Sequence, residues 1–436
     1  MKNFNFYLVT DTHYFEPSLG SSGKAYDEYI KREQYFMAES SDIVKATFKK
    51  LAEDKSTDLV IIPGDLTKNG EIESHKSFVK ELYKLKDAGK RIYVITAGHD
   101  YGEKSKAFVG DKCIEVEGTP FEIIPDLYRD FGYSDALAVD SRTLSYVAEV
   151  EKGIRMLAIN CDSPGKQKGS IDDELYGWMK IQLDKAKADG CYVFAICHYP
   201  LIPSVPVFEL VGDAKLRDWR KVASFLADNG VEFIMTGHMH IQSVNEFISE
   251  KGNRIVDVCT SCLVGSPAKY RKITVTDSVM KIQSFDTPPF GADTKGLSLQ
   301  EFFDRQFDSS IKSRINNALN GDGIKKIAKK LLNKITFGTL GRLLFIRVDK
   351  SIKKIKFMDL AGEIGIAIFK GDMPYVEGNP VHTAFLKAFK RFRFILKKVE
   401  PKLSKNGVDI NLTDMLLNTI GNNKGYSDNN TEIKLR

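Results

Sequence analysis

The run Val231-Glu232-Phe233-Ile234-Met235 followed by Thr236-Gly237-His238-Met239-His240 decides how the chain is read. Its first half is apolar and of strand length, so it predicts a buried strand. Its second half sets two imidazoles two residues apart where that strand ends. In extended backbone, residues i and i+2 point to one face. A glycine before the pair lets the chain turn instead and aim the two rings at two neighbouring centres, as a pair of metal ions requires. A lone His-x-His is more often two surface histidines, so the weight falls on what the other strand ends carry.

Working outward, the same arrangement recurs. Phe4 to Val9 predicts a central strand whose end delivers Asp11-Thr12-His13, a carboxylate and an imidazole able to share one divalent ion. Leu59-Val60-Ile61-Ile62 predicts a second buried strand, stopping at Pro63-Gly64-Asp65. Arg91 to Thr96 predicts a third, ending at Ala97-Gly98-His99-Asp100, and Tyr192 to Cys197 a further one, ending at His198. Between them lie helical patterns at about Tyr26 to Ala52, Ser74 to Ala88, Thr119 to Phe131, Asp172 to Ala188 and Lys215 to Asp228. His75, at one helix start, is expected on the surface. Strands near Leu144 to Glu149, Arg155 to Asn160, Arg254 to Val258, Lys272 to Thr276 and Met280 to Phe285 complete the sheets. This is βαβ alternation with polar side chains at successive strand ends, where open α/β sheets bind their ligands.

The whole chain has 436 residues, 42% hydrophobic and 28% charged, which suits a folded protein of about two domains. No apolar run approaches the roughly 20 residues that span a bilayer. The N-terminus runs straight into the first motif without a signal-type apolar stretch, so the expected location is cytoplasmic. The scattered Cys113, Cys161, Cys191 and Cys197 read as reduced, buried thiols, and the lone Cys259-Thr260-Ser261-Cys262 is weak evidence for zinc or redox work. From Gly291 onward there are 27 basic and 15 acidic residues, against 37 and 43 before it. Asp286-Thr287-Pro288-Pro289-Phe290-Gly291 lies between as a linker, dividing residues 1–286 from a basic, mainly helical part at 292–436.

In order, Asp11-x-His13, Gly64-Asp65, Gly98-His99-Asp100, His198 and Gly237-His238-x-His240 resemble the calcineurin-like metallophosphoesterase superfamily. Within it, the chain looks most like bacterial class III cyclic-nucleotide phosphodiesterases with an extra helical C-terminal domain. The resemblance covers about residues 1 to 285 and takes in five of the seven histidines. It implies an α/β fold, a four-layer αββα sandwich with a dinuclear centre, followed by the smaller helical domain. Carried across, Asp11, His13, Asp65 and His240 hold one divalent transition-metal ion (Mn, Fe or Zn), and Asp65, His198 and His238 the second. Two such ions about 3.5–4 Å apart would clamp the phosphoryl oxygens and supply a hydroxide for attack. His99 would act as the acid, with Asp100 to orient its ring. One position departs: the family's asparagine, an oxygen ligand of the second ion, aligns with Gly98, so that site is expected to be weakened.

The implied function is hydrolysis of a phosphodiester, a cyclic nucleotide or similar small phosphate ester. The alternative is a degenerate metal-binding scaffold that recruits an anionic partner through the basic domain. Expected helices there are Leu299 to Phe307, Ile311 to Leu319, Ile324 to Leu332 and Thr383 to Val399. The last alternates Lys387, Lys390, Arg391, Arg393, Lys397 and Lys398 with Phe385, Phe389, Phe392 and Ile395. A basic helix can bind phosphates, nucleic acid or an anionic membrane surface. Its interleaved apolar residues favour packing on its own domain, and in the hydrolase reading the helical domain forms one wall of the pocket or a homodimer contact. Gly421 to Asn430 is polar and expected to be mobile.

Overall fold

The structure is a computed structural model and describes residues 2–31, 33–165, 167–318, 333–403, 410–421 and 424–436. In chain order the first half comprises β1 (Phe4–Leu8), α1 (Lys24–Ile30), α2 (Ser40–Glu53), β2 (Leu59–Pro63), α3 (Ile72–Asp87) and β3 (Arg91–Ile95). A hairpin of β4 (Gly102–Val109) and β5 (Lys112–Thr119), a short α4 (Ile124–Leu127), β6 (Ala136–Asp140), β7 (Ser145–Glu151) and β8 (Ile154–Ile159) follow. Then come α5 (Asp173–Ala188), β9 (Tyr192–Cys197), α6 (Trp219–Asp228), β10 (Phe233–Thr236), β11 (Ser243–Ile248), β12 (Arg254–Cys259), β13 (Lys269–Val275) and β14 (Val279–Asp286).

These strands form two sheets. One runs β14-β13-β1-β2-β3, the other β11-β12-β10-β9-β8-β7-β6. β1, β2 and β3 are parallel neighbours, as are β8, β9, β10 and β12, so their C-terminal ends gather on one side. The period of two along each strand builds the layers. On the first sheet Tyr7, Val60, Ile62 and Val94 face outward against Val44 and Phe48 of α2 and Leu82 of α3. Phe6, Ile61 and Ile95 face inward against Tyr146, Phe194, Phe233 and Met235 of the second sheet. Leu157, Ala195 and Ile234 leave the second sheet's outer face to meet Met179 and Leu183 of α5 and Val222 and Leu226 of α6. The result is a four-layer αββα sandwich.

The differences from the sequence reading have local causes. The helix expected from Tyr26 to Ala52 is two helices, because the chain leaves α1 at Lys31 and crosses the site before α2 begins at Ser40. The hairpin β4–β5 and the strands β6 and β11 were not expected: they carry many exposed residues, and their alternation is weak. Thr119 to Phe131, expected as a helix, holds only α4 and short 3-10 turns.

Beyond β14, α7 (Leu299–Ala318) is one helix where two are expected, and packs Phe303 into the core beside α2 and Phe302 on Phe36. Helices Phe337–Leu343, Phe357–Lys370, Pro380–Arg391 and Leu412–Ile420 surround a small core of Phe337, Leu360, Tyr375, Val381 and Ile420. The helix expected over Ile324 to Leu332 lies outside the described residues. The basic stretch from Thr383 to Val399 is broken at Phe392 into two helices. A last strand, β15 (Thr431–Lys434), pairs antiparallel with β14 and buries Ile433 and Leu435 between the two sheets. The chain end therefore belongs to the first sheet and not to the helical part. Asp428, inside the stretch expected to be mobile, is buried and accepts from the Val244 amide. Among the described residues no helix is long and apolar enough to cross a membrane.

Candidate metal centre

Six side chains expected as ligands converge where β1, β2, β9 and β10 end. Parallel pairing carries on past the strands: the His13 amide donates to the Asp65 carbonyl (3.0 Å) and Tyr14 to Leu66 (2.9 Å), which sets Asp11-Thr12-His13 beside Asp65. Gly237 donates to the His198 carbonyl (2.9 Å) and tethers the second loop pair. Two glycines make room. A Cβ on Gly64 would lie 2.7 Å from His198 Nδ1, and one on Gly237 would lie 2.5 Å from Asp11 Oδ2. At both positions a ligand-type side chain fills the space a longer residue would need.

The donors then fall into two sets. Asp11, His13 and Asp65 each offer an atom within 4.8 Å of the others, as do Asp65, His198 and His238. His240 Nε2 lies 3.2 Å from His13 Nε2 and 3.3 Å from Asp11 Oδ1. In the second set His198 Nε2 stands 3.0 Å from Asp65 Oδ2 and 3.2 Å from His238 Nδ1. Donors about 2.1 Å from one ion at tetrahedral or octahedral angles are about 3.0–3.4 Å apart. Asp65 belongs to both sets, and the His-x-His turn does send its rings to different sets.

The backbone is bent to achieve this. Asp11, His13, Asp65, His238 and His240 have φ of 51°, 35°, 50°, 67° and 58°, in the left-handed region that side-chain-bearing residues avoid. Each such residue costs on the order of 1–3 kcal/mol, and that kind of strain collects at functional sites.

Tautomers are set from outside the cluster. His198 Nδ1 donates to the Pro63 carbonyl (3.0 Å) and His238 Nε2 to the Asp213 carbonyl (2.8 Å), so the inward nitrogen of each neutral ring holds a lone pair. Burial pushes His13 well below its ordinary range and, with the charge of His198, His238 to about 4. His198 goes the other way: burial opposes it, but Asp65 and then Asp11 carry it up to about 10. Asp65 is held well below the carboxylate range by His198 and His99 against its own burial. With the His198 proton given up to an ion, these ring nitrogens and carboxylates are the donor set of a transition-metal site.

His99 stands apart from the two sets, exposed, its ring 5.2 Å from that of His13. Its Nδ1 donates to the Lys68 carbonyl (2.8 Å) and lies 3.1 Å from Asn69 Oδ1. Asp100 does not orient this ring. Its buried carboxylate instead accepts from the amides of Thr67 (2.8 Å) and Ala97 (2.9 Å) and knits two strand ends together. Burial, then the charge of Asp65, pushes it up to about 8. His75, expected at the surface, is fully buried: Nε2 donates to the Asp100 carbonyl (2.7 Å) and Nδ1 accepts from Tyr128 (2.7 Å).

Three neighbours escaped the sequence reading. Tyr35 stacks flat on His13, centroids 4.2 Å apart, from the stretch between α1 and α2 that the helical pattern conceals. Lys68, buried, sits 5.3 Å from the Tyr35 ring and 3.5 Å from Glu33. Cys262 offers a thiol to the group formed by His13 and His240 while donating to the Asp11 carbonyl at 3.1 Å. The C-x-x-C spacing does flag Cys262, but as half of a pair, and Cys259 instead donates to the Gly237 carbonyl.

Comparison with known proteins gives the family. The calcineurin-like phosphoesterase family model matches residues 4–242, more than half of the chain, and the protein belongs to that family. A probable glycerophosphodiester phosphodiesterase of Arcobacter nitrofigilis is 29% identical over 178 residues, 40% of this chain and 55% of that protein. A cAMP/cGMP dual specificity phosphodiesterase of Mycobacterium tuberculosis is 29% identical over 96 residues, 22% of this chain and 29% of that protein. The chain thus matches about half or less of the length of these relatives. Among solved structures, a dimetal phosphatase from Danio rerio aligns with 65% of this chain and 96% of its own at 11% identity, TM-score 0.46. Purple acid phosphatase PPD1 from yellow lupin aligns with 66% and 52% at 13% identity, TM-score 0.42.

Proposed function

We propose that the protein is a metal-dependent phosphoesterase that hydrolyses a phosphodiester, a cyclic nucleotide or another small phosphate ester. The observation that carries this reading is the pair of donor sets sharing Asp65 at the strand ends. Asp11, His13, Asp65 and His240 hold one ion and Asp65, His198 and His238 the other. Four of the six donors are imidazoles, which favours Mn, Fe or Zn over calcium. When bound, such ions supply Lewis acidity toward a phosphoryl oxygen and an acidified water.

The chain's own groups do the rest. The carbonyls of Pro63 and Asp213 keep His198 and His238 turned inward, and Gly64 and Gly237 let His198 and Asp11 approach. His99, reachable from solvent and anchored through Nδ1, carries in its doubly protonated form a proton at Nε2 for the departing oxygen. Tyr35 covers the outer face of His13 and keeps water from that side. The names of the two relatives favour a diester over a monoester.

The test is hydrolysis of bis-p-nitrophenyl phosphate by metal-stripped protein before and after Mn²⁺ is added. Turnover should be absent in chelator and restored by the ion. Equal turnover in both, or none with two ions bound per chain, would refute the reading.

A further inference from the structure

Gly98 leaves the second donor set, Asp65, His198 and His238, short of an oxygen relative to the family pattern. The structure fills that space from elsewhere. A Cβ built on Gly98 would lie 2.3 Å from Asp162 Oδ2 and 3.1 Å from Lys168 Nζ. An asparagine's amide oxygen lies about 2.4 Å from its own Cβ by standard bond lengths. The Asp162 oxygen is thus as far from that point as the missing amide oxygen would be. Gly98 has no positive φ, so the glycine serves space and not backbone conformation. The same relation holds at Gly64 and Gly237, where the intruding groups are His198 and Asp11, both in the donor sets.

Asp162 follows β8, whose parallel neighbour β9 ends at His198. It is 6% exposed, and its Oδ1 is buried without a hydrogen-bond partner. A buried carboxylate with a spare oxygen is costly unless a cation meets it. Burial raises its pKa, countered first by Lys168 and then by His198.

We infer that Asp162 replaces the family asparagine, supplying the side-chain oxygen that completes the second ion's ligands. The nearby charge of Lys168 eases its burial until the metal arrives. Asp65, His198 and His238 already have donor atoms within 4.8 Å of one another, and Asp162 lies close enough to feel the charges of both His198 and Asp65. The inference rests on the two-ion reading above, and it removes the expected weakness of the second site. It also reverses the meaning of a repair at residue 98: Gly98→Asn alone puts its Cβ into the Asp162 carboxylate, and only a partner change that clears Asp162 makes room.

Metal binding measured by equilibrium dialysis and by Mn²⁺ electron paramagnetic resonance separates the cases, with a urea midpoint to check folding. Wild type should hold two ions per chain. Asp162→Ala should hold the first as before and bind the second about tenfold or more weaker. Gly98→Asn with Asp162→Ala should regain it, whereas Gly98→Asn alone should lose stability. Two ions bound with unchanged affinity in Asp162→Ala would overturn the inference and leave the two-ion reading intact. No ion bound by wild type would overturn both. Should Asp162→Ala not fold, Asp162→Val keeps more of the bulk and loses both oxygens, and an unchanged second affinity there overturns the inference equally.

Discussion

His75 is the residue at which local sequence and fold part most clearly. A histidine at a helix start reads as solvated, yet here it joins α3 to Tyr128 and to the carbonyl of Asp100, contacts 53 and 25 residues away that no local pattern reveals. Burial pushes its pKa down to about 4. The unfolded chain therefore takes up the proton first, near 6.5, and the stability due to neutral His75 is full above that pH and lost as pH falls toward 4. For metal-stripped protein this is worth about 3 kcal/mol across the window. Urea midpoints at pH 7 and pH 4.5 should fall less for His75→Gln than for wild type; an equal fall in both would remove His75 as the cause. His99 makes the complementary case. His99→Ala should keep both ions and lose about 10²–10⁴ in kcat on a diester with a poor leaving group. Lost metal would make it a ligand, and unchanged turnover a bystander.

The buried parallel strands were legible at the scale of elements because each is a short, mostly apolar run that stops near a glycine, an acid or a histidine. The six ligand-type residues were legible for the same reason. What escaped were elements defined by partners: β11 exists because β12 lies beside it, and β4 and β5 because they pair with each other. The stretch between α1 and α2 escaped because Tyr26 to Ala52 carries enough apolar residues to pass for one helix. β15 was hidden by its shortness and its polar approach. Removing residues 431–436 should uncover the β14 edge and the Ile433 and Leu435 pockets, at a cost of about 3–5 kcal/mol. A urea midpoint unchanged by that truncation would show that the strand adds nothing.

At the scale of the whole molecule, the helical part is tied to the site's own loops. The Phe369 carbonyl accepts from the Gln242 amide (2.9 Å), two residues past His240, and the Val207 amide donates to Thr419 Oγ1 (2.9 Å). Charge asymmetry sets this part apart in the sequence, and the aromatic contacts of Phe302 with Phe36 and Phe307 with Phe369 bind it together and to the sandwich. Anomalous diffraction from a crystal soaked in Mn²⁺ tests the paired metal centre, where these layers meet, most directly. The expected map has two peaks flanking Asp65, one within roughly 2.3 Å of donors from Asp11, His13 and His240, the other near His198 and His238. Peaks elsewhere, or a single peak that leaves His198 and His238 without an ion, would contradict it.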